Sequence, residues 1–233
     1  MLNDELERKR LAGSEPEAVA YPEVLLDDDD DDDEEPDEEP ETPPGKGSEE
    51  KPQPPMPLDE KLLRNRTIML FGQIDMDVAR EISKRLLVLD AESHDEIKIY
   101  INSPGGHVES GDTIFDIIRY IKSPVKVIGT GWVASAAALV YVAVPLEQRY
   151  SLPNTRFLLH QPMGGARGQA ADIAIEAQEI LRMRKRLNET FARQTGQPLE
   201  KVEEDTDRNF WMTAREAQEY GLVGKIVDRS DEV

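Results

Sequence analysis

From Leu58 onward the chain alternates short apolar runs with segments of helical spacing, and this alternation restricts the fold more than any other feature. TIMLF (67–71) is an apolar run stopped by Gly72, and VAREISKRLLVLD (78–90) repeats its apolar residues at helical spacing. IKIYIN (97–102) reads as a strand that halts at Ser-Pro-Gly-Gly, SGDTIFDIIRYIKS (110–123) as a helix, VKVIGT (125–130) as a strand, and RFLLH (156–160) as a strand ending at His160. Strands separated by helices of about 10–15 residues call for right-handed crossovers, hence an α/β domain with a mostly parallel sheet. A long amphipathic helix follows from about Ala170 to Gln194, with Ile173, Ala177, Ile180, Leu181, Leu187 and Phe191 as its apolar stripe. It is longer than a small core needs, so its far end is expected to project toward a partner. Thr213-Ala-Arg-Glu216 predicts a capping box that starts the last helix, Gly221 stops it, and KIVD (225–228) adds a short strand. One domain accounts for 58–233.

The residues before it differ in kind. Positions 1–57 carry 21 acidic and 5 basic side chains, leaving 27 acidic and 23 basic for 58–233, so most of the net charge of −20 belongs to the N-terminal segment. Like charges in DDDDDDDEEPDEEPE (27–41) repel, and prolines through PQPPMP remove backbone donors, which predicts a disordered, acidic, Pro-rich tail. The nearly balanced remainder offers no basic stripe for a phosphate backbone, which argues against nucleic acid as a partner. There is no cysteine, which excludes disulfides, thiolate catalysis and cysteine metal sites and fits a reducing cytoplasm. MLNDELERKR lacks a basic-then-apolar signal pattern, and the longest apolar run, near 131–146, is short of the roughly 18 residues a membrane span needs, so no membrane association is expected. Neither a metal nor a cofactor is expected.

Within that run, GWVASAAALVYVAV (131–144) reads as a helix whose one polar side chain is Ser135. Taken alone the serine has two readings: a nucleophile, or a small residue that lets a helix pack closely. Sites in open α/β sheets lie where strands end, and three strand ends carry relevant groups. INSPGG (101–106) supplies glycines whose N–H groups can turn toward a ligand, Ser135 follows the strand at 125–130, and His160 ends the strand at 156–160. A hydroxyl is a weak nucleophile, so acyl transfer by serine needs an adjacent base and donors for the developing oxyanion. Only His94, His107 and His160 could serve as a histidine base. Each part alone is ordinary: a Gly-Gly pair can be only a turn, and His160 a hydrogen-bonded structural histidine.

Taken together, INSPGG (101–106), GWVAS (131–135), LPNTRFLLHQPMGGARGQA (152–170), TGQPLEKVEEDTDR (195–208) and MTAREAQEYGLVGKI (212–226) resemble the proteolytic subunit of the Clp protease, as does LLRNRTIMLFGQID near the start. The resemblance covers about 60–229, and Ser135 and His160 stand 25 residues apart as in that family. It implies the crotonase-like fold of repeated β-β-α and βαβ units with a projecting helix, and a serine endopeptidase acting inside a closed chamber of two seven-membered rings fed by an AAA+ ATPase. It also implies Ser135 as nucleophile, His160 as general base, and the N–H groups of Gly106 and Ala136 as oxyanion hole. The segment holding Gly164, Gly165, Ala166, Gly168 and Gln169 would pair with an extended peptide, and Asp207 and Arg208 match the ion pair between rings.

The chain departs from the family at several places. The third triad position, an aspartate in most relatives, is Asn209, 49 residues after His160. Ala136-Ala137 replaces the usual Met-Gly after the serine, shrinking a side chain that lines the substrate pocket. The apolar segment and pore loop that begin relatives are replaced by the acidic tail and PQPPMPLDEK. His107, beside the oxyanion glycine, is read as solvent-facing. Two rival functions stay open on this evidence: a weakly active or inactive ring subunit assembling with an active paralogue, and a crotonase-like acyl-CoA enzyme.

Overall fold

The computed structural model describes residues 56–165 and 167–233, so the acidic tail expected over 1–57 lies outside the described residues except for its last two positions. Helix α1 (Leu58–Arg64) leads into β1 (Thr67–Phe71), and strand and helix then alternate: α2 (Met76–Glu92), β2 (Ile97–Ser103), α3 (Val108–Tyr120), β3 (Val125–Ala134) and α4 (Ala136–Tyr141). Next come β4 (Arg149–Ser151), β5 (Arg156–Leu159), the long helix α5 (Ala170–Thr195), α6 (Leu199–Asp205), β6 (Phe210–Thr213), α7 (Ala214–Glu219) and β7 (Lys225–Ile226).

Five strands lie in the order β1-β2-β3-β4-β7, every neighbouring pair parallel. On β2 the residues Ile97, Ile99, Ile101 and Ser103 are buried and those between them are not, the period of two that sends one face into the core. Helix α2 meets the core with Ala79, Ile82, Leu86 and Leu89, spaced three and four apart as one helical stripe must be.

Strand β3 is the branch point. Its middle pairs with β4 (Val127–Gly129 against Arg149–Ser151), whereas Trp132–Ala134 pair with Arg156–Leu158 of β5. Strand β6 then adds to β5 antiparallel. The end of β3 is thereby laid beside β5, while Val133 still pairs with Ser103 of β2. The helix expected over 131–144 is corrected accordingly: Gly131–Ala134 continue the strand, and α4 covers only Ala136–Tyr141. The physical reason is that Val133 through Val144 are buried on every side except at Ser135, so the run has no apolar period to separate strand from helix.

Helix α5 projects by its first half and not, as the sequence led one to expect, by its far end, because only Leu187 and Phe191 of its stripe reach the core. Leu187 and Phe191 are 7% and 4% exposed, whereas Ile173 and Leu181 are 41% and 62% exposed, so its first half stands clear of the core. Its base is tied down by Arg149, which is buried. Nε donates to Val144 O (2.8 Å), Nη1 to Gln194 O (2.8 Å) and Nη2 to Gln194 Oε1 (2.6 Å). Burial pulls the guanidinium down to about 10. One cation thus joins the carbonyl-rich end of the α4 segment to the carbonyl-rich end of α5, where helix dipoles favour positive charge.

Candidate active site

Between β3 and α4 the chain must turn within one residue, and that residue is Ser135, with φ 55° and ψ −122°. A left-handed conformation in a residue other than glycine costs on the order of 1–3 kcal/mol and persists only where its surroundings impose it. Here the Ser135 N–H donates to Leu158 O (2.9 Å), while its own carbonyl accepts from the N–H groups of Ala138 and Leu139. The strand-to-helix elbow is therefore pinned to β5, two residues before His160.

The Gly-Gly pair packs against the same elbow. A Cβ on Gly105 would lie 2.7 Å from Ser135 Cβ and 2.9 Å from Ala136 N, so a side chain there would collide with the turn. On its other side the Gly-Gly turn is fixed by Ile74, whose N–H donates to Gly105 O and whose carbonyl accepts from His107 N–H, both at 2.8 Å. The Gly106 and Ala136 N–H groups have no acceptor among the described residues. Two free donors next to the half-buried Ser135 hydroxyl match the requirement of an oxyanion hole.

His160 Nδ1 lies 3.0 Å from Asn209 Oδ1. Donation from Nδ1–H to the amide oxygen leaves Nε2 as the unprotonated nitrogen, the tautomer a general base needs. No hydrogen bond joins Ser135 to His160, although both side chains line one cavity. Catalytic hydrogen bonds are often loose without substrate and tighten when it binds. The loop carrying Asn209 is held to the histidine's strand by Gln161, whose N–H reaches Thr206 O and whose Nε2 reaches Asp207 O, both at 2.7 Å. Neither nearby carboxylate competes for the imidazole. Asp205 is taken by Lys201 (2.9 Å) and the Tyr220 hydroxyl (2.8 Å), and Asp207 by Arg184 and Arg208, each at 3.2 Å. Gln161 and Arg184 went unnoticed in the sequence, since their contribution is contact with the Asn209 loop and no spacing announces it.

Behind Ser135 an apolar cavity is walled by Val108 of α3, Ala136 and Leu139 of α4, and Leu187 and Phe191 of α5. On the other side of His160, residues 162–165, 167 and 168 are non-helical and make no backbone hydrogen bond among the described residues. Gly164, Gly165, Gly168 and Gln169 are exposed there, while Ala166 lies outside the described residues. His107 is also exposed, as expected, and binds Ser110 Oγ (2.9 Å) and Glu109 (3.2 Å) on its own helix. Among the described residues no group of histidines and carboxylates could hold a metal ion, and no helix is long and apolar enough to cross a membrane.

The sequence profile of the family described as Clp protease matches residues 56–230. The ATP-dependent Clp protease proteolytic subunit 3 of Rhizobium etli is 56% identical over 169 residues, covering 72% of this chain and 87% of that protein. Proteolytic subunit 2 of Gluconobacter oxydans is 57% identical over 178 residues, 76% of this chain and 80% of its own. Among solved structures, ClpP1 from Listeria monocytogenes superposes with a TM-score of 0.68 at 50% identity, covering 75% of this chain and 98% of its own. An Asn-to-Asp variant of that protein gives a TM-score of 0.70 with the same identity and coverage. By sequence and by fold, the chain belongs to the Clp protease family.

Proposed function

We propose that this chain is a proteolytic subunit of a Clp-type protease, a serine endopeptidase in which Ser135 is the nucleophile, His160 the general base and Asn209 the residue that orients it. Ser135 Oγ attacks the scissile carbonyl as His160 Nε2 takes its proton. The Gly106 and Ala136 N–H groups receive the oxyanion, and the imidazolium then protonates the leaving amine. Water, activated by the same histidine, hydrolyses the acyl-enzyme. The observation that carries the reading is the 3.0 Å contact of His160 Nδ1 with Asn209 Oδ1 beside the strained Ser135 elbow.

An extended peptide adds as a strand along Gly164, Gly165, Ala166, Gly168 and Gln169, whose backbone groups, apart from the Gln169 carbonyl that accepts from Ile173 N–H, have no competing partners where described. The residue before the cut enters the apolar cavity behind Ser135. The relatives are named ATP-dependent, and we extend to this chain their assembly into rings served by an ATPase, in the cytoplasm. In a double seven-membered ring the projecting half of α5 meets the opposite ring, and Asp207 and Arg208, which pair within one chain here, exchange partners across it. Asn209 brings no charge, which favours a subunit of modest activity alone and leaves room for an active paralogue in the ring. The acyl-CoA reading has no support from relatives, which are proteases.

Turnover of a fluorogenic peptide by the purified protein, with oligomeric mass measured in the same buffer, tests the proposal. Ser135→Ala and His160→Ala are each expected to abolish cleavage and leave assembly intact. Full cleavage by Ser135→Ala would refute the assignment, and activity that appears only after mixing with a paralogue would favour the auxiliary-subunit reading.

A further inference from the structure

The alanine at position 136 implies a roomier substrate pocket, yet the cavity behind Ser135 is small. The centre of a water molecule can occupy only about 20 Å³ of it, and about 10–15 Å³ already suffices for one water. The cavity is narrowed from behind. Leu139 projects from α4, and Leu187 and Phe191, one turn apart on the same face of α5, close the opposite side; all three are buried.

These walls are cross-braced. Directly before Leu187, Arg186 grips Asp112 of α3 through two hydrogen bonds of 2.7 and 2.6 Å. Three residues after Phe191, Gln194 is held by the buried Arg149. Helix α5 is therefore clamped to α3 on one side of the cavity and to the α4 segment on the other. The lining behind the mouth is wholly apolar, so a charged side chain entering it would be buried without a partner.

We propose that this subsite admits only a small aliphatic side chain, alanine to valine in size, from the residue before the cut, with Leu139 and Phe191 as the residues that set the limit. The inference rests on the reading of Ser135 as nucleophile. A leucine carries one methylene more than valine and a phenylalanine a full ring. A single methylene in a closed pocket is worth about 10–200-fold in discrimination, and overpacking is penalised as surely as underfilling.

The test uses the full chain and internally quenched peptides that differ only before the cut, with alanine, valine, leucine, phenylalanine or lysine there. The alanine and valine peptides are expected to exceed leucine by about tenfold or more in kcat/KM and phenylalanine by about a hundredfold, with lysine uncut. Leu139→Ala and Phe191→Leu should each raise the leucine peptide relative to alanine. If either variant fails to fold, the profile of the unmodified chain still decides. A small alkyl fluorophosphonate, which needs Ser135 but not a filled subsite, separates the two readings. Labelling of Ser135 together with a preference for leucine or phenylalanine overturns the size limit and leaves the nucleophile standing. With neither labelling nor cleavage, the catalytic reading fails, and binding of the same peptides to the Ser135→Ala form decides the subsite. Tighter binding of the alanine and valine peptides supports the size limit; an equal or reversed order overturns it.

Discussion

In the proposed mechanism His160 becomes an imidazolium as Ser135 attacks a carbonyl, and the group facing its Nδ1 decides how stable that cation is. Asn209 supplies an acceptor at 3.0 Å and hence the correct tautomer, but no negative charge. Charge-assisted hydrogen bonds are roughly twice as strong as neutral ones, so Asn209→Asp should stabilise the transition state by about 1–3 kcal/mol, or one to two decades in rate. The change is nearly isosteric, and Asp205 and Asp207 are already engaged by other partners, which lowers the repulsion a new carboxylate would meet. Turnover of one short fluorogenic peptide by both forms, at matched oligomeric state, measures the gain. An unchanged or slower rate would show that Asn209 does not serve as the third catalytic residue. Ser135, His160 and Asn209, the proposed triad, were singled out in the sequence because their order and spacing resemble a family pattern. The free N–H groups of Gly106 and Ala136 could not be read directly, because a donor is free only by virtue of what fails to face it in three dimensions.

At the scale of single elements, α7 depends on its first turn. The Thr213 hydroxyl accepts from Glu216 N–H, while the Glu216 carboxylate accepts from the Thr213 N–H (2.8 Å) and hydroxyl (2.9 Å). The backbone bond first, then the hydroxyl, hold the Glu216 carboxyl below its ordinary value of 4.5. A depressed carboxylate stabilises the fold at pH above its unfolded value and loses that contribution as pH falls through the folded one, here below pH 4.5. Thr213→Ala should cost about 1 kcal/mol near neutral pH, and the gap in thermal midpoint from the unmodified chain should narrow at pH 3. A gap as wide at pH 3 as at pH 7 would refute the coupling of Thr213 to the Glu216 charge. This capping box was legible in four letters of sequence because its chemistry is local. Strand β3 was not. Its last three residues pair with β5, which is more than twenty positions away, and Val133 and Ala134 are as buried as the helix that follows, so their apolar letters do not separate strand from helix. Strand β6 escaped notice for a related reason, since Phe210–Thr213 are extended through pairing with β5 and not through any alternation of their own.

For the whole molecule the question is what the acidic N-terminal segment does to assembly. Among the described residues, every strand and helix and every buried core residue fall between Leu58 and the C-terminus. Residues 1–50 hold 21 acidic and four basic side chains, so their removal changes the formal charge from −20 to −3. On composition alone, they are expected to carry too little apolar content to repay the entropy of folding into a core. Charge far from zero opposes bringing copies of a chain together, and salt screens that repulsion over roughly 10 Å at 0.1 M. A chain lacking residues 1–50 is therefore expected to keep the thermal midpoint of the full chain and to form the same oligomer. The full chain should assemble more readily as salt is raised from low concentration, and the shortened one should respond far less. Sedimentation of both forms over a series of salt concentrations measures this directly. A shortened chain that stays monomeric where the full chain assembles would make the tail a structural part of the oligomer, and equal salt responses would show that its charge does not act on assembly.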